Sequence, residues 1–123
     1  MFKVEFDSKK NLLRILQDGH VREEDARAGL REIEAIAPTL QPGFSLLSDM
    51  TDLEEMDLGC AAYIRKVMDV LEKHGINLVV RVIPDPKKDI GLNIMSLFHY
   101  HRGLRIVTVA SMEQATNALE SRS

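Results

Sequence analysis

The chain has 123 residues, 45% of them apolar and 28% charged, with a net charge of −3. That balance excludes a disordered polymer, and the length suits one domain spanning 1–123, because a split would leave two poorly cored halves. The mild acidity argues against nucleic acid as a partner, since a surface that follows a phosphate backbone carries a basic excess.

No stretch reaches the roughly 20 apolar residues that cross a bilayer, so no membrane insertion is expected. The opening MFKVEFDSKK alternates polar and apolar residues and lacks the apolar centre of a signal peptide. A single cysteine, Cys60, permits no intrachain disulfide. The expected location is the cytoplasm.

Val4 and Phe6 alternate with Lys3 and Glu5, the period of a half-buried strand. Asp7 to Asn11 reads as a turn, and Leu12 to Leu16 as the returning strand of a hairpin, broken at Gly19. From Val21 the period lengthens: Ala26, Leu30, Ile33 and Ala37 recur at helical spacing, until Pro38 ends the helix. Pro42-Gly43 marks a turn before a third strand, Phe44 to Leu47. An acidic connection follows, and a second helix runs from about Leu58 to His74, with Gly75 suited to the left-handed position beyond its end.

Leu78 to Ile83 is a valine-rich run of the kind found in central parallel strands, and Pro84-Asp85-Pro86 closes it. Ile90, Ile94, Leu97 and Phe98 form a third helical stripe ending near Gly103, and Leu104 to Val109 forms a fifth strand. Ser111 with Gln114 is a capping-box pattern for a fourth helix packing Ala115, Ala118 and Leu119. The expected fold is therefore α/β: a mainly parallel sheet of four to five strands, an N-terminal hairpin and four helices.

This order, with an acidic loop between the third strand and the second helix, resembles the STAS family, which includes the bacterial anti-sigma-factor antagonists. Asp49-Met50-Thr51 is similar to the Asp-Leu-Ser that ends the family's third strand, and Met56-Asp57 falls where the family has a hydrophobic-Asp pair. Gly19 and the segment Val109 to Ala115 are similar to further family features. The chain departs from the pattern at Leu58-Gly59-Cys60, where the family has Ser-Ser-Gly; the serine phosphorylated in the antagonists falls on Gly59, which has no hydroxyl. The resemblance implies a non-catalytic regulatory domain that binds a protein, such as a regulatory kinase or sigma-regulator-like protein, and a homodimer is a further option. Thr51 or Ser48 would be the substitute phosphate acceptors.

Asp49, Thr51, Asp57, Leu58 and Gly59 make up the candidate partner or ligand surface, with Tyr63 and Val70 as its flank on the second helix. The apolar arc of that helix, from Cys60 through Leu71, is wider than one core face needs, which suits either a helix wedged between neighbours or a docking rim. No metal or cofactor site is expected. The acids from Asp49 to Asp57 lack the glycine and ligand spacing of a calcium loop, and are expected to favour the positive end of the next helix. His99 and His101 are two apart and point away from each other on a helix, while His20 and His74 stand alone in the sequence. Cys60 shares a face with Ile64, Val67 and Leu71, so it reads as a core residue without a base. No phosphate-binding glycine loop or nucleophile elbow occurs. The alternatives to a protein-binding domain are a module for a small apolar or nucleotide ligand and an enzyme using the acidic 49–57 loop.

Overall fold

The computed structural model describes residues 1–83 and 104–121. Two strands open the chain, β1 (Phe2–Asp7) and β2 (Leu12–Gln17), paired antiparallel from Phe2↔Gln17 to Asp7↔Leu12. Their turn is held by Asp7, whose Oδ1 accepts the backbone N–H groups of Lys9 at 3.0 Å and Lys10 at 3.2 Å. An aspartate bonding the backbone two residues on is a common turn device. Then come β3 (Gly19–Val21), α1 (Glu23–Ile36), β4 (Ser45–Asp49) and β5 (Leu53–Met56). The chain continues through α2 (Cys60–Lys73), β6 (Leu78–Val82), β7 (Arg105–Val109) and α3 (Met112–Glu120).

Five strands form a mixed sheet in the order β1-β2-β4-β6-β7, antiparallel at the first pair and parallel at the other three. The parallel register aligns Leu13, Leu46, Val79 and Ile106 across the sheet. This row joins the larger core, which α1 and α2 cover through Ile33, Ile64, Val67 and Leu71. On the other face Leu12, Leu47, Leu78, Val80 and Val82 meet Ala115 of α3. Leu46, Val79, Val82 and Ile64 are buried as their pattern requires, whereas Ile106 is only half-buried because β7 is an edge strand.

Several sequence expectations shift. The described residues hold three α-helices rather than four; the stripe from Ile90 to Phe98, Pro84-Asp85-Pro86, the His99/His101 pair and Gly103 lie outside the described residues. The first helix ends at Ile36 and Ala37 begins a 3-10 turn through Thr39, since Pro38 is tolerated in a first turn but cannot extend the ladder behind it. The second helix starts at Cys60 rather than Leu58.

The main correction concerns Gly19 and the acidic connection. Gly19 does not merely break a strand: with φ +59 it turns the chain into β3, which pairs in parallel with β5 as a separate two-stranded sheet. The supposed loop therefore contains a strand, Leu53–Met56, with Leu53 buried in the core.

A second departure lies inside the valine run. Arg81 is 2% exposed, and its Nε and Nη2 donate to Thr108 Oγ1 at 3.2 and 2.8 Å. Ser48, its neighbour in β4, donates to buried Gln17 at 3.0 Å. A polar row thus crosses the sheet near the ends of its parallel strands, where the run suggests only apolar contacts.

Candidate functional site

The sheet's parallel strands deliver β4 to a turn whose geometry is set by Asp49. Its Oδ1 accepts from the Thr51 backbone N–H at 3.0 Å and from the Thr51 hydroxyl at 2.5 Å. Met50 tucks its side chain into the core, and Asp52 offers its carbonyl to the Gly19 N–H at 2.9 Å. Asp49 and Thr51 are therefore a joined pair that shapes the turn. The Thr51 hydroxyl already has a partner.

β5 then carries Glu54 and Glu55 outward and brings the chain to Asp57, whose N–H donates to the Val21 carbonyl at 3.0 Å. The Asp57 carboxylate reaches back to His20, Oδ1 to Nε2 at 2.7 Å. That hydrogen bond outweighs desolvation and, with the imidazole charge, the Glu23 backbone N–H and Arg22 adding to it, holds the Asp57 carboxyl below its ordinary range. The other ring nitrogen of His20 lies 3.9 Å from Glu55. His20 is thus placed between two carboxylates, although 35 positions separate it from Glu55 in the sequence. The strand pairing His20↔Glu55 explains the meeting, and a register shift between Gly19 and His20 accompanies it. Such irregularities re-aim side chains. Sequence reading treats His20 as isolated because this pairing is non-local.

The acids do not gather at the N-terminus of α2, as the sequence suggests. Its first turn contains none, and Asp57 is directed to His20 and the start of α1 instead. Leu58 and Gly59 form the tight turn into α2, with Cys60 N–H donating to the Asp57 carbonyl at 2.9 Å. Leu58 is 83% exposed. A leucine so fully in water, beside Glu54, Glu55 and Asp57, gains nothing from the fold. At Gly59 the backbone is ordinary, φ −63, but a Cβ would come within 2.5 Å of the Glu23 carboxylate. Glycine here makes room for a flexible side-chain end.

Cys60 is fully buried, and its Sγ faces the Val21 carbonyl at 3.6 Å. Burial first, then the Asp57 charge, pushes its thiol up to about 11. It stays a thiol at neutral pH and is no nucleophile.

Tyr63 and Val70 sit apart from this turn, half-buried against the core. The Tyr63 hydroxyl accepts from Arg27 Nε at 3.1 Å, and its ring lies under Arg27 and Lys66 at 5.5 and 5.7 Å. The wide apolar arc of α2 is thus shared between the sheet and α1, and this flank is less open than a free rim.

A groove of about 420 Å³ lies on the other face of the sheet, floored by Leu12, Leu47, Met112 and Leu119 and edged by Lys10 and Arg14. It is formed with α3, and Asp49 borders it through a smaller pocket shared with Arg14, Leu47 and Met112, whereas Leu58 does not line it.

No family model and no curated protein matches the chain at the sequence level. Its structure does have counterparts. The anti-sigma factor antagonist SpoIIAA in its unphosphorylated form superposes with a TM-score of 0.68 at 14% identity, over 98% of this chain and 99% of that one. The Bacillus cell-fate determinant SpoIIAA in its phosphorylated form gives 0.66 at 14% identity, over 97% and 99%. A protein with a SpoIIAA-like fold from Shewanella loihica gives 0.65 at 16% identity, over 97% and 92%. With its mixed sheet, its three described helices and a structural match along nearly its whole length, the chain has a STAS-like fold.

Proposed function

We propose that this chain is a non-catalytic regulatory domain that binds another protein through the face formed by residues 49–59. The observation that carries the reading is Leu58, 83% exposed on a turn that follows exposed Glu54 and Glu55 and the half-exposed Asp57 in the chain. An apolar side chain held out of the core in an acidic stretch of chain suits a small docking contact, in which an apolar anchor is buried inside a polar rim. The partner that fits is a protein with an apolar pocket edged by Lys and Arg. The fold adds weight, because the similar solved structures include anti-sigma factor antagonists.

Regulation in this domain does not pass through a phosphate at the α2 start. Residues 56–60, Met-Asp-Leu-Gly-Cys, contain no hydroxyl. The nearby Thr51 hydroxyl is engaged by Asp49, and a phosphate there would set two negative groups against each other. Asp49 and Thr51 act in this reading by shaping the turn, Leu58 as the anchor, and Asp57 and Gly59 by fixing the entry to α2. The small-molecule alternative draws its support from the groove at Leu12, Leu47 and Met112 rather than from the turn.

Affinity capture from the native lysate tests the reading, using the wild-type chain beside Leu58→Asp and a groove control, Met112→Asp. Leu58→Asp should lose the captured protein while Met112→Asp keeps it. Equal capture by wild type and Leu58→Asp would remove the basis of the proposal.

A further inference from the structure

We propose that His20, Glu55 and Asp57 form a binding site for a borderline divalent transition ion such as Zn²⁺. One ligand atom from each residue can be chosen so that all lie within 4.8 Å of one another. A zinc ion bound by imidazole nitrogen and carboxylate oxygen sits about 2.0–2.2 Å from each. Donors on a common ion at those distances lie about 3–3.6 Å apart, so the three have to close by about an ångström or a little more. The Asp57–His20 hydrogen bond of 2.7 Å would be exchanged for two metal bonds.

The site has a fixed frame. His20 and Glu55 are opposite each other in the β3–β5 pair, and the Asp57 backbone is tied to Val21 at 3.0 Å. The three side chains therefore start from paired backbone rather than from a free loop. All are accessible, with side-chain exposures of 34, 65 and 41%, so an ion and its remaining water ligands can enter. The local field favours a cation: Glu23 and Asp25 add negative charge around the neighbouring Cys60, with Arg22 as an opposing charge near Asp57.

The donor set also selects the ion. One imidazole with two carboxylates suits Zn²⁺, Co²⁺ or Mn²⁺ better than Mg²⁺ or Ca²⁺, which prefer all-oxygen shells. Three protein ligands leave room for water or for a donor from outside the chain. One of its ligands, Asp57, directly precedes Leu58. This inference goes beyond docking and does not rest on it, because metal binding is measured on the isolated chain and docking in the lysate.

Isothermal titration of the untagged chain with zinc chloride at neutral pH, repeated with magnesium chloride, tests the site. One zinc should bind per chain, with magnesium giving no comparable heat. His20→Ala, Glu55→Gln and Asp57→Asn should each weaken zinc by about tenfold or more, which is the least that loss of even a supporting group usually costs. His74→Gln should leave the affinity unchanged. Cobalt(II) supplies a second readout, a visible absorption band that disappears in His20→Ala. Circular dichroism identifies any variant that fails to fold, and the near-isosteric Asp57→Asn keeps the question open to a negative answer in that event. Absence of zinc binding to the wild type, or binding unchanged in both His20→Ala and Asp57→Asn, would overturn the proposal.

Discussion

Asp57 joins two parts of the chain that are far apart in sequence: it holds His20 of β3 and accepts the Glu23 N–H at the start of α1. Its carboxyl is depressed in the folded state, chiefly by the His20 hydrogen bond. A depressed carboxyl adds stability that is complete above the unfolded aspartate range and fades as pH falls through the lower folded value. Asp57→Asn should therefore flatten the acid limb of the stability curve, and His20→Gln should bring the Asp57 titration, followed by carboxyl carbon NMR, back toward the ordinary range. An acid limb identical in wild type and Asp57→Asn would show that the pair contributes nothing. Gly29 is a second residue with a specific role. A methyl there would overlap the Phe2 ring, which packs across α1. Gly29→Ala gains about 1 kcal/mol of helix propensity but meets an overpacking cost of roughly 1–3 kcal/mol, so a net loss near 1 kcal/mol is expected by urea unfolding. In a Phe2→Ala background the same change should stabilise, since the overlap is gone and the two sites are coupled.

At the scale of elements, α2 divides its apolar surface between the sheet and α1. Tyr63 is half-buried in that seam, with Arg27 and Lys66 over its ring. Tyr63→Ala should cost about 1.5 kcal/mol, roughly half of what a fully buried aromatic loses. A loss below about 0.5 kcal/mol, the usual range for surface changes, would instead restore the docking-rim reading of this flank. The elements that the sequence makes legible are those with local signals. Ser111 accepts from the Gln114 N–H at 3.2 Å, and the Gln114 side-chain oxygen accepts from the Ala110 N–H at 2.8 Å, so the cap of α3 was readable from Ser111 and Gln114, three residues apart. Likewise, Gly75 takes φ +92 just beyond α2, as its place in the sequence suggests. β3 and β5 carry no such signal. They are three and four residues long, Glu54 and Glu55 disguise β5 as a loop, and each strand exists through pairing with the other. Arg81 was hidden for a related reason: its hydroxyl partner, Thr108, is 27 positions away.

Across the whole molecule, the sheet separates two surfaces of different character. One bears exposed Leu58 and the His20 cluster; the other bears α3 and the groove at Leu12 and Leu47, with Asp49 at its margin beside Met112. The sequence located the turn as the candidate surface and named Leu58, Gly59 and Asp57 within it. It did not reveal that His20 joins them, nor that Tyr63 meets Arg27 of α1 while Val70 packs against the core, because both depend on packing between distant segments. The central claim is that a protein partner docks at Leu58. Site-specific photo-cross-linking tests it most directly, with one photoreactive side chain placed at position 58 and another at position 112. In native lysate, the probe at 58 should link to a discrete protein and the probe at 112 should not. Cross-links formed from 112 with none from 58 would contradict the claim and move the functional surface to the groove.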